Sequence, residues 1–117
     1  MVTKRIDKPW GHEEIIEHND RYVVKKLHID AGHRLSLQYH EKKHETLLLI
    51  WGEVNLNIGT KEDELQPIIM YPGTHQVIVP GTIHQIAAVQ DSIIIECSTP
   101  ELDDVVRLKD DYGRANR

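Results

Sequence analysis

Glu53-Val54-Asn55-Leu56-Asn57-Ile58 alternates polar and apolar side chains without a fault. Successive side chains of a strand point to opposite faces, so this period of two predicts a strand with one buried and one wet face. Working outward in both directions, the same period recurs over 22–29, 34–39, 46–51, 67–70, 76–79, 84–89 and 92–97. Turn signals part these runs: Asn19-Asp20, Ala31-Gly32, Trp51-Gly52, Gly59-Thr60, Pro72-Gly73, Pro80-Gly81 and Gln90-Asp91. Many short strands at such spacing predict a sandwich or barrel rather than alternating strands and helices. Only 100–108 has the pattern for a helical turn or two, with Leu102, Val105 and Val106 on one side. An all-β fold is expected.

The chain of 117 residues suits one domain and is too short for two cores. Ile, Leu and Val together number 33, enough to argue against disorder, and with no Phe the interior must be aliphatic, helped by Trp10 and Trp51. A net charge of −5 with interspersed signs gives no electrostatic footprint for nucleic acid. Neither a secretion signal nor a membrane span is expected: the N-terminus lacks an apolar stretch, and the longest apolar run, Leu47 to Trp51, is five residues. The default location is the cytoplasm. Its reducing milieu suits the lone Cys97, which is expected to be a buried, inert thiol after Ile93-Ile94-Ile95-Glu96. Eight histidines are the one loud compositional signal.

Gln38 and His40 lie two apart on a predicted strand and share a face. If that face is the interior, two polar groups enter an apolar cavity, which is costly unless something binds them. The short turn 41–44 then delivers Glu45, which shares its face with Leu47, Leu49 and Trp51 and so also points inward. Far downstream, Pro80-Gly81-Thr82-Ile83-His84 presents one more imidazole just after a tight turn. Gln38, His40, Glu45 and His84 thus offer two imidazoles, one carboxylate and one amide oxygen, a shell suited to one divalent transition metal such as Zn, Mn, Fe or Ni.

The spacing Gly32, five residues, Gln38-Tyr39-His40, four residues, Glu45, six residues, Gly52 resembles the first cupin motif, with Gln in place of its first His. Gly73, five residues, Val79-Pro80-Gly81, two residues and His84 resembles the second, with Val79 where Pro is usual and Ala88 where Asn is usual. Within the cupins, Ser36-Leu37-Gln38-Tyr39-His40, Lys8-Pro9-Trp10-Gly11 and Arg107-Leu108-Lys109-Asp110-Asp111-Tyr112-Gly113-Arg114 are similar to type II phosphomannose isomerases. That group includes the C-terminal domain of bifunctional mannose-1-phosphate guanylyltransferases. The resemblance covers nearly the whole chain. It implies a small cupin β-barrel (a double-sheet jelly roll) with its core over about 22–98, an N-terminal strand or arm over 1–21 and a C-terminal tail over 99–117. One departure concerns the first motif. The group usually carries Arg, then Glu-His-Trp, where this chain has Lys43, then Glu45-Thr46-Leu47. No nucleotidyltransferase domain or dinucleotide-type glycine loop precedes these strands, so guanylyl transfer is not expected of this chain.

By that resemblance the chain acts on a phosphorylated or nucleotide-linked sugar, as an aldose–ketose isomerase of the mannose-6-phosphate isomerase type. Such a reaction moves a proton between C1 and C2, and the candidate bases are His44, Lys43 and His75. Lys43 and Arg114 are the cations best placed for phosphate. The Asp110, Asp111 and Arg114 tail either closes the site or is a solvated charged tail, and Trp10 is a core plug or a lid. Two other readings stand beside isomerisation. His40, Glu45 and His84 also suit non-haem iron and oxygen chemistry, and a cupin can bind a sugar without turning it over. A homodimer is expected, because Leu48 and Ile50 make the second face of 46–51 apolar too.

Overall fold

The computed structural model describes residues 4–115, and these form eleven strands and no helix. In chain order they are β1 (Lys4–Lys8), β2 (Gly11–His18), β3 (Val23–Ile29), β4 (Leu37–Tyr39), β5 (Glu45–Trp51), β6 (Val54–Gly59), β7 (Gln66–Met70), β8 (His75–Ile78), β9 (Ile83–Ala88), β10 (Ser92–Ser98) and β11 (Val106–Lys109). They pair antiparallel in two sheets, of order β1-β2-β3-β10-β5-β8 and β11-β4-β9-β6-β7. The expected double-sheet all-β architecture is what the chain adopts.

Alternation decides what lies between the sheets. Leu27, Ile29, Leu47, Leu49, Val54, Leu56, Met70, Ile78, Ile86 and Ile94 pack there around Trp10, which is buried. Each such side chain contributes about 1.5–3 kcal/mol relative to exposure. Trp10 is therefore part of the core, held in the β1–β2 turn where its carbonyl accepts from the Asp30 N–H at 2.9 Å. Gly11 follows with φ 148°, and a side chain there would collide with the His28 carbonyl, so the turn needs glycine.

Of the segment 1–21, expected as a strand or arm, the described part includes β1 and β2, which build one edge of the larger sheet. Three expectations need correction. The 100–108 segment forms no helix, because Val106 and Arg107 pair with Tyr39 and Gln38 as strand β11. Trp51 does not point inward. The β5–β10 register shifts between Ile93 and Ile94, which leaves Ile50 as an extra residue, breaks the alternation, and leaves Trp51 65% exposed. Cys97 is exposed, because the period of two places Ile94, Glu96 and Ser98 inside and sends Cys97 out.

The outer face of β5 and β8 leaves Leu48, Ile50 and Val77 exposed, uncovered by the chain's own N-terminal strands. No helix among the described residues is long and apolar enough to cross a membrane.

Candidate metal centre

His84 lies on β9 directly across from Gln38 on β4, and His40 follows one residue after β4 ends. Glu45 opens β5 in the facing sheet. The two sheets thus bring His40, Glu45 and His84 together across the interior, each 3% exposed or less. Glu45 Oε1 is 3.4 Å from His84 Nε2, and Glu45 Oε2 is 3.7 Å from His40 Nε2. The imidazoles are aimed by their other nitrogens. His40 Nδ1 donates to the Asp104 carbonyl at 2.6 Å, and His84 Nδ1 to the Thr82 carbonyl at 3.0 Å. A carbonyl can only accept, so both Nδ1 atoms carry protons and both Nε2 lone pairs are free for a cation.

That donor set fits a divalent metal. His40 Nε2 is buried without a hydrogen-bond partner, and two imidazole lone pairs around a carboxylate repel unless a cation sits among them. Burial alone would raise the Glu45 carboxyl. The neighbouring His40 and His84 rings and the Lys43 charge reverse this and hold it well below the usual range. Gln38 lines the same cavity, and its Oε1 accepts from the Ser36 hydroxyl at 2.6 Å, which fixes the amide with one lone pair spare.

The remaining candidates divide. Lys43 is 6% exposed, and its ammonium sits 2.9 Å from Glu96 Oε2 and 3.1 Å from Glu45 Oε2. Burial works against the charge, but the two carboxylates override it and hold the ammonium above its usual range, so Lys43 is a fixed cation rather than a base. His44 and His75 are exposed and face away from the centre. His44 borders a separate surface hollow with Arg21, Tyr22 and Cys97, and His75 pairs with outward-facing Leu48. Arg114 borders the central cavity, gripped by Asp110 through Nε at 2.9 Å and a terminal nitrogen at 3.0 Å. Asp111 instead holds Arg34. The tail is docked.

That cavity has a volume of about 550 Å³ and reaches from His40 to the C-terminal segment. Lys4, Lys8, Lys25, Lys43, Arg107 and Arg114 line it against only Glu13, Glu96 and Asp103, an excess of positive charge. Sequence reasoning missed Lys25 and Glu96. Parity could have found Lys25, which shares the inner face with Val23, Leu27 and Ile29, whereas the unbroken Ile93-Ile94-Ile95 run hides that Glu96 shares the inner face with Ile94. Asp104 was missed too, and no local pattern marks it. Its carboxylate accepts the backbone N–H groups of Glu41, Lys42 and Lys43 at 3.1, 2.6 and 2.9 Å. These donors outweigh burial and hold its carboxyl below the usual value.

Two facing antiparallel sheets enclosing a His, Glu and His cluster define a cupin. The RmlC-like cupin from Shewanella frigidimarina NCIMB 400 superposes with a TM-score of 0.76 at 17% identity, covering 86% of each chain. KdgF from Halomonas sp. does so at 0.73 and 22% identity, covering 86% of this chain and 90% of that one. The mannose-6-phosphate isomerase C-terminal family model matches residues 1–110, and the chain belongs to that family. The mannose-1-phosphate guanylyltransferase of Escherichia coli (strain K12) is 32% identical over 121 residues, spanning 97% of this chain but 24% of that protein. The chain thus spans about a quarter of the length of such relatives.

Proposed function

We propose that this cupin holds one divalent metal through His40, Glu45 and His84, with Gln38 as a fourth donor, and isomerises a phosphorylated sugar of the mannose 6-phosphate class. The observation that carries the reading is the cavity. It joins the His40 end of the donor set to a surplus of lysine and arginine, and its volume of about 550 Å³ lies in the ordinary range for small-molecule sites. A bound divalent ion supplies polarisation of the carbonyl and hydroxyl oxygens at C1 and C2. The protein's own groups do the rest. Arg107 and Arg114 on the cavity wall receive the phosphate, while the Lys43 ammonium adds positive charge where the enediolate oxygens form. With His44 and His75 facing outward, Glu96 is the carboxylate closest in role to a base: it lies on the cavity wall, one lysine away from Glu45.

Metal-loaded protein is expected to convert mannose 6-phosphate to fructose 6-phosphate, and Glu45→Ala and His84→Ala are expected to lose both metal and turnover. Glu96→Gln should keep its metal and lose roughly 100- to 10,000-fold in kcat, the range for general acid–base groups. Absence of turnover with each of Zn, Mn, Fe and Ni refutes the isomerase reading. Because the buried donors are two histidines and one carboxylate, oxygen consumption by the iron-loaded protein is the second reading to test. The uncovered Leu48, Ile50 and Val77 face supports a homodimer, with the protein acting in the cytoplasm.

A further inference from the structure

Strands β2 and β3 present Glu13, Lys25 and Leu27 to the cavity, so the alternate residues face outward. On that outer face His12 stands directly opposite His28 in the antiparallel register. Their rings stack with centroids 4.1 Å apart and planes 14° from parallel. Glu14, two residues beyond His12, shares the face and reaches both rings. Its Oε1 is 3.5 Å from His12 Nε2 and 3.1 Å from His28 Nε2. Each of the three residues offers one donor atom, and those atoms lie within 4.8 Å of one another.

A plain His–Glu ion pair explains this poorly. His28 Nε2 is buried and has no aligned hydrogen-bond partner, although the carboxylate oxygen is near. A cation among the three atoms would satisfy them all once the stacked rings turn their Nε2 lone pairs toward it. The spacing also fits. Metal–donor bonds of about 2.0–2.2 Å at tetrahedral angles place neighbouring donors about 3.3 Å apart, and the two measured separations, 3.1 and 3.5 Å, lie on either side. The side chains are 19%, 24% and 27% exposed, partly desolvated yet open to an arriving ion.

We propose that His12, Glu14 and His28 form a second metal site, facing outward and distinct from the one inside the barrel. Its donors, two imidazoles and one carboxylate, select a borderline ion such as Zn(II), Ni(II) or Cu(II) over Mg(II) or Ca(II). Three protein ligands leave one position for water. The site ties β2 to β3 behind the strand pair that carries Glu13 and Lys25, so it acts as a clip on one cavity wall.

The test is zinc stoichiometry of the full metal-free chain, read by competition with a chromophoric chelator at micromolar zinc. His12→Gln and His28→Gln are each expected to bind one ion fewer than the wild type, and Mg(II) is expected not to compete. The difference of one is read whether or not the barrel site fills, and Glu45→Ala reports that site separately. Unchanged stoichiometry in either folded variant overturns the proposal. Where a histidine variant fails to fold by its thermal transition, Glu14→Ala takes its place: one ion fewer supports the site, and an unchanged count overturns it.

Discussion

Replacing Lys43 by Met tests the charge arrangement on which the site rests. In the metal-free protein the ammonium touches Glu96 at 2.9 Å and Glu45 at 3.1 Å, with the three residues 6%, 7% and 3% exposed. Methionine keeps the length of the side chain and removes the charge, leaving two buried carboxylates to face each other. Removing one partner of a buried ion pair typically costs about 3–5 kcal/mol. Against a domain stability of about 5–15 kcal/mol, that is a large share. At about 4 °C per kcal/mol for a chain of this size, the melting midpoint should fall by about 12–20 °C at pH 7.

The pH dependence gives a second reading. The folded Glu45 carboxyl lies below its ordinary 4.5, burial being overridden by His40, His84 and Lys43. A depressed folded pKa means that its stabilising contribution is complete above the unfolded value and is lost as pH falls through the folded one. In Lys43→Met the carboxylates lose that cation, protonation relieves them, and the gap to wild type should close as pH falls below about 4.5. Denaturant unfolding of both metal-free proteins from pH 7 down to about pH 2 measures it. A loss under about 1 kcal/mol at pH 7, the size of a surface pair, refutes the reasoning. So does a gap that stays constant with pH.

Three further outcomes are expected. Asp104→Ala removes the acceptor for three backbone N–H groups, much as a lost helix cap does, and should cost about 0.5–2 kcal/mol in urea unfolding. The substitution keeps the Asp104 backbone carbonyl that aims His40 but releases the carboxylate contacts that hold this segment against 41–43, so metal affinity should fall by no more than roughly tenfold in chelator competition. Arg114→Ala should weaken mannose 6-phosphate binding by about 10- to 150-fold in calorimetric titration, the equivalent of losing about 1.5–3 kcal/mol of charged hydrogen bonding; binding within twofold of wild type makes the tail structural. Leu48→Asp should convert a dimer to a monomer in sedimentation at micromolar concentration, and a monomeric wild type ends the dimer expectation.

What was legible in the sequence was what parity and turns encode. The alternation of 53–58 and its neighbours gave the strands, and the spacing of His40, Glu45 and His84 placed three donors on inward positions that the fold brings together. What was not legible depends on partners far along the chain. Trp51 turns outward because the β5–β10 pairing carries a bulge beside it, and Val106 and Arg107 enter a strand because β4 offers an edge. His44 lies outside by its alternation with inward Glu45, whereas Cys97 shares parity with Ile93 and Ile95, and His75 with Val77 and Val79, so only the folded sheets show that those faces are the outer ones. Asp104 is different. Its three N–H donors lie about 60 residues earlier, so only the folded chain identifies it.

Lys43 also resolves the main departure from the isomerase pattern, where Arg is usual. An arginine fork suits the paired oxygens of one phosphate or carboxylate, whereas an ammonium is a compact point charge with three rotatable donors. Here the cation has two carboxylates to serve, on β5 and β10, from a buried position between them. A point charge meets that geometry, and burial against Glu45 and Glu96 leaves it nothing to offer a phosphate. Under the proposed function, phosphate recognition then falls to the other cations that line the cavity. Of these, Arg114 keeps a guanidinium, and Asp110, whose side chain is fully buried, holds it in place through two parallel contacts. The change at 43 therefore alters how Glu45 and Glu96 are neutralised and leaves the Arg114–Asp110 pair on the cavity wall unaffected. A lysine at this position is compatible with a sugar-phosphate substrate.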